Sequence, residues 1–212
     1  MSLNLNKVTR IMLYAVCAVA VLLALSTSAS AQSADNFKVN YFDNNNLTTS
    51  GAPESLVHVV NPGSGALCAD IYVWKADQEL TECCACPIST NGLLTFTVDY
   101  ATNNPGDGNG DATSGSIDIV SDSNAVCDPT NPAPATALRA WGTHVNYDSV
   151  SGGYDVTETE FLDTPLSSGE QTEAASRCGF LESNGTGAGL CTAICSEFGA
   201  NGDAKPRTRS IK

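Results

Sequence analysis

Apolar and polar residues alternate with period two through the first two-thirds of the chain, the pattern of strands that bury one face. The runs are FKVNYF (37–42), SLVHVV (55–60), CADIYVW (68–74), LLTFTVDY (93–100), SIDIVS (116–121), LRAWGTHVNY (138–147) and YDVTETEF (154–161). Turn formers lie between them: DNNN, NPGSG, STNG, NNPGDGNGDATSG, DPTNPAP and SGG. Short strands at this spacing predict a mainly β fold, an antiparallel β-sandwich. The stretch TNPAPAT (130–136) reads as a long sandwich loop rather than a linker between domains.

The period changes after Pro165. Ser167 and Glu170 form the spacing of a capping box, and Ala174, Cys178 and Leu181 follow at i, i+4 and i+7. Asn184–Gly185 is a helix stop. In GLCTAICSEFG, Cys191 and Cys195 stand one helical turn apart. A short C-terminal helical segment over about 166–198 is therefore expected, pinned to the sandwich by cysteines.

The start of the chain predicts export. Lys7 and Arg10 precede an apolar stretch from Ile11 to Leu25, and STSASAQ then offers a cleavage site after Ala31. The apolar stretch is about 15 residues where a membrane span needs about 20, so 1–31 reads as a signal peptide. Residues 32–204 read as one domain, and 205–212 as a basic, disordered tail. No later run is apolar enough to span a membrane once the signal is removed.

Charge narrows the partners. With Lys7 and Arg10 gone, eight basic residues face 23 acidic ones, a net charge of −15. Four of those eight lie in the tail, so 32–204 carries −19. A body this acidic repels phosphate backbones, which excludes nucleic acid.

Export also decides how the cysteines read. Cys17 leaves with the signal, and an even eight remain: Cys68, Cys83, Cys84, Cys86, Cys127, Cys178, Cys191 and Cys195. In an oxidising compartment these predict a disulfide framework. Zinc held by Cys83, Cys86, Cys191 and Cys195 is the rival, disfavoured by the same compartment argument. A redox centre would need its Cys-x-x-Cys at a helix N-terminus, whereas Pro87 and a turn follow Cys86. Adjacent Cys83 and Cys84 are expected to point in different directions, each to a different partner.

Catalytic signals are sparse. His58 and His144 both lie inside strands, with no Gly-x-Ser-x-Gly elbow and no zinc-protease helix anywhere in the chain. Glu158 and Glu160 share one strand face, as a glycan hydrolase would need, but a solvated face explains them as well. Trp74, Trp141, Tyr72, Tyr147 and Tyr154 are candidates for a sugar-stacking platform. Asp107, Asn109, Asp111 and Asp118 fall at ligand positions 1, 3, 5 and 12 of a calcium loop, though Ala112 replaces the turn glycine. Calcium is the one cofactor this loop would take; no other is expected.

Three segments, GALCADIYVWKADQELTECCACPISTNGLLT, ALRAWGTHV and RCGFLESNGTGAGLCTAIC, carry a resemblance. They resemble a family of uncharacterised secreted bacterial proteins with a similar Cys-Ala-x-Ile-Tyr-Val…Cys-Cys-x-Cys block, a Leu-Arg-Ala-Trp-Gly-Thr segment and a Cys-Gly-Phe…Asn-Gly…Cys end. The likeness spans most of 60–195. It implies export, one domain and linked cysteines, and no activity.

The resulting expectation is a non-catalytic extracellular structural or adhesive protein, secreted or held at the cell surface. In this reading Phe37, Val39 and Tyr41 alternate on one side of an N-terminal arm that adds a strand to a copy of itself or another surface protein, building a fibre. The alternatives are a carbohydrate- or calcium-binding module and a glycan hydrolase using Glu158 and Glu160.

Overall fold

The computed structural model of the protein describes residues 35–43, 53–98, 113–183 and 195. The strands are β1 (Phe37–Asp43), β2 (Leu56–Val60), β3 (Leu67–Lys75), β4 (Leu80–Ile88), β5 (Leu93–Thr97), β6 (Ser114–Asp122), β7 (Arg139–Asp148), β8 (Gly153–Glu160) and β9 (Leu162–Thr164). The helix α1 (Ser168–Ser183) follows, and the isolated described residue Cys195 is also helical. The strands build two antiparallel sheets, a five-stranded one in the order β4-β3-β6-β1-β9 and a four-stranded one in the order β5-β2-β7-β8.

All seven alternating runs become strands of this sandwich, and two further strands appear. β4 hides because its residues are buried on both faces, LTECCACPI, so no alternation marks it. Pro87 is tolerated because β4 is an edge strand, where a missing N–H breaks no ladder. β9 is three residues long, too short for any period to show.

Two apolar layers hold the fold. Between the sheets lie Val57, Val59, Ile71, Val73, Phe96, Ile117, Ile119 and Phe161 among others. On the outer face of the five-stranded sheet, Phe37, Tyr72, Leu80 and Val120 pack against Cys178 and Leu181 of α1. β3 is covered on both sides and is buried continuously from Cys68 to Val73. Each large apolar side chain so buried contributes about 1.5–3 kcal/mol. Gly115 permits the close approach of β6 to β3, since a Cβ there would overlap the Trp74 carbonyl.

The capping box forms as the sequence spacing requires. The Glu170 amide donates to Ser167 Oγ (3.2 Å), and the Ser167 amide donates back to Glu170 Oε2 (2.9 Å). Gln171 ties the helix to the 123–134 loop by donating to the Pro132 carbonyl (2.9 Å).

β1 is an inner strand of its own sheet, paired to β6 along its whole length and to β9 from Phe37 to Val39. In the single chain, the arm read as a donor strand is therefore a strand of its own sheet. Phe37 and Val39 fill the groove beneath this chain's own α1, and Tyr41 stacks on His144 at 4.4 Å. β1 is fixed further by Lys38, whose fully buried ammonium pairs with Asp163 at 2.6 Å and donates to the Asp35 carbonyl at 2.8 Å.

Three disulfides staple the sandwich: Cys68–Cys127, Cys83–Cys178 and Cys86–Cys195. Cys83 faces α1 while Cys84 and Cys86 face the core between the sheets, so Cys83 and Cys86 cannot share one zinc ion. Cys84 is buried and carries no bridge among the described residues. Cys191 lies outside them, and of the eight cysteines after residue 31 these two are left over. Alkylation of the denatured, unreduced protein is expected to add no label by intact mass, because an exported chain pairs its thiols. Two labels would mean that Cys84 stays reduced.

Candidate functional site

The outer faces of the two sheets differ. α1 covers part of the five-stranded sheet, and among the described residues no helix covers the four-stranded one. The hydrophobic strand positions Val57, Val59 and Ala140 point into the core, so their neighbours His58 and Trp141 point outward. Register then lines up one row across four strands, Thr95, His58, Trp141 and Glu160, and a second row, Thr97, Leu56, Thr143 and Glu158.

His58 and Trp141 stack with ring centroids 5.0 Å apart. His58 is held from both ends, Nδ1 by Thr95 Oγ1 at 2.9 Å and Nε2 by Thr143 Oγ1 at 3.3 Å. Thr143 donates its own hydroxyl to Glu158 (2.8 Å), so its oxygen accepts from His58 and the imidazole proton sits on Nε2. Burial holds the His58 pKa below its ordinary value, against the opposing charge of Glu158. The result is a flat face with a half-buried indole at its centre and hydroxyl, imidazole and carboxylate groups around it.

The five aromatics considered as one platform fall in two places. Trp141, Tyr147 and Tyr154 belong to β7 and β8 of the open sheet, the two tyrosines meeting edge to face at 5.5 Å. Tyr72 is fully buried under α1 and the 123–134 loop, donating its hydroxyl to the Pro129 carbonyl at 2.6 Å, and Trp74 lies on that same sheet. His144 is structural: it is buried, its Nε2 contacts Thr159 Oγ1 at 2.6 Å, and burial lowers its pKa.

The calcium loop is corrected in part. Asp107, Asn109 and Asp111 lie outside the described residues, but Asp118 is the fifth residue of β6, paired with Tyr72 and Val39. It faces α1 rather than a loop. Burial pushes its carboxyl up to about 7, reinforced by the charge of Glu170, while the nearby Trp74 indole and Ser116 hydroxyl pull it the other way. Among the described residues no three His, Cys, Asp or Glu side chains are arranged to hold a metal ion.

Sequence reading missed a second acid. Asp70 is fully buried, and neither carboxylate oxygen finds a donor. Its neighbour Asp122 is satisfied by the Asn124 and Ala133 amides (2.8 and 3.0 Å) and the Asn124 side chain (3.2 Å). Burial first, and the nearby Asp122 and Asp128 next, push Asp70 up to about 9, so at neutral pH it is a carboxylic acid that shares its proton with Asp122. The only signal was a lone Asp in an otherwise buried strand.

Among the described residues no helix is long and apolar enough to cross a membrane. No protein family and no curated protein matches the sequence. Among solved structures the chain is similar to the crystal structure of Thermotoga maritima 1070, at 13% identity and a TM-score of 0.41, over 63% of this chain and 97% of that one. A likeness at that level shows neither fold nor function.

Proposed function

We propose that the protein is an exported, non-catalytic adhesive module that holds a glycan on the outer face of its four-stranded sheet. The observation that carries this reading is the His58–Trp141 stack, set among Thr95, Thr143, Glu158 and Glu160 on the uncovered face. An indole flanked by hydroxyls and carboxylates suits a sugar ring, whose C–H face packs on the aromatic while its hydroxyls bond at the edges. A sheet offers such a surface already ordered, so little entropy is lost on binding.

A reading that makes Thr95 a nucleophile and His58 its base lacks an oxyanion site on this face, whereas glycan cleavage by Glu158 and Glu160 needs none and is the alternative to be tested. Thr95 and His58 are spaced as hydroxyl and base, but β2 is paired on both sides, so its backbone N–H groups are committed to the ladders. No donors remain there to stabilise an oxyanion. β1, the donor strand of a fibre reading, is paired on both sides within its own sheet. β8, one edge of the four-stranded sheet among the described residues, carries Asp155, Glu158 and Glu160, which discourage strand addition. Three disulfides support the export the N-terminal sequence predicts.

Trp141→Ala is expected to lower retention on polysaccharide resins by at least about tenfold while leaving the thermal midpoint within a few degrees, as for an aromatic anchor. Unchanged retention would remove the indole, and with it the sheet face, from the account.

A further inference from the structure

On the opposite side of the sandwich, beneath the first turns of α1, lies a cavity of about 510 Å³. Phe37 and Val39 give it an apolar floor, Trp74 an indole wall and Asp118 a carboxyl, and Glu170 and Glu173 form its helical rim. Gly169 leaves the roof without a side chain. That volume lies in the range of small-molecule sites.

Two buried atoms of its lining residues complete no hydrogen bond, Nε1 of Trp74 and Oδ1 of Asp118. The indole stands near enough to draw the Asp118 carboxyl downward, yet neither of these two atoms has a hydrogen-bond partner. One is a donor and the other an acceptor, and leaving either unpaired in the interior is unfavourable. An ammonium group would satisfy the carboxyl and leave the indole unpaired. A carbonyl would do the reverse. A hydroxyl does both, accepting from the indole N–H and donating to the carboxylate.

We propose that this cavity binds one polyhydroxyl ring, a pyranose-sized sugar residue, through a hydroxyl that bridges Trp74 Nε1 and Asp118. The apolar floor takes the C–H face of the ring, and the rim carboxylates accept its outer hydroxyls. The site shares no residue with the His58–Trp141 face, so the two stand or fall separately.

The chain has two tryptophans, so two indole N–H signals are expected in a ¹H–¹⁵N spectrum, told apart by Trp141→Phe. The mature protein is titrated with methyl pyranosides of gluco, galacto, manno and N-acetylgluco configuration, with n-butylammonium as the rival probe. A saturable shift of the Trp74 signal by a pyranoside is expected, unaffected by Trp141→Phe. Trp74→Phe keeps the aromatic wall and loses only the N–H. It and Asp118→Ala are each expected to weaken binding about tenfold. Asp118→Ala removes a buried carboxyl with one unpaired oxygen, so its fold is checked by circular dichroism and expected to hold. A Trp74 signal that answers only to n-butylammonium would overturn the proposal in favour of a cation site. A signal still across the whole panel would overturn it in favour of bound water alone.

Discussion

Replacing Cys83 and Cys178 together by alanine is expected to cost about 4–5 kcal/mol of folding stability. The bridge closes a loop with a sequence separation of 95, and restriction of the unfolded chain grows with loop length. It is also the covalent tie between β4 and α1. Apart from it, α1 is held mainly by Leu181, Ala174 and the Gln171–Pro132 hydrogen bond, with most of its surface facing solvent. A loss of this size approaches the whole stability of many domains. The midpoint of urea unfolding should fall sharply, and proteolysis should begin within 168–183. An unchanged midpoint would mean that packing alone holds the helix.

The second large effect is a dependence on pH set by Asp70. Its folded pKa, about 9, lies above the ordinary carboxylate value of 3.8. The native state therefore keeps a proton that the unfolded chain releases between those values. Stability is fully present below about pH 4 as far as this group is concerned, and falls as pH rises toward 9, by roughly 1.4 kcal/mol per unit at the steepest. The groups around it, Asp122 and Asp128, act in the same direction, and the Tyr72 hydroxyl is committed to Pro129. Asp70→Asn keeps the shape and a donor for Asp122 without a charge to bury. The variant should be several kcal/mol more stable than the parent at pH 9 and nearly equal at pH 4, on the order set by that slope. Parallel unfolding curves for the two proteins across this range would show that Asp70 is not the protonated group.

How much of this was legible in the sequence follows from which forces are local. Strand period, the Ser167–Glu170 cap and the divergence of Cys83 from Cys84 are properties of neighbouring residues, and all three hold in the structure. β4 was not legible because covalent staples and a second apolar layer erased the polar half of its pattern. The partners in each candidate site lie on strands far apart in the chain. His58 meets Trp141 only through the β2–β7 pairing, and Trp74 comes near Asp118 only through β3–β6. Asp118 itself was misassigned because loop spacing was counted past Ser114, where β6 has already begun.

The open sheet face is proposed to bind glycan without cleaving it. A glycan array probed with the mature protein, followed by mass analysis of the glycan eluted from it, tests both halves at once. Saturable binding that Trp141→Ala abolishes is expected, with the bound glycan recovered at its original length. Shortened glycan that returns to full length in Glu158→Gln or Glu160→Gln would contradict it and make the protein a hydrolase. Absence of any bound glycan would contradict it equally.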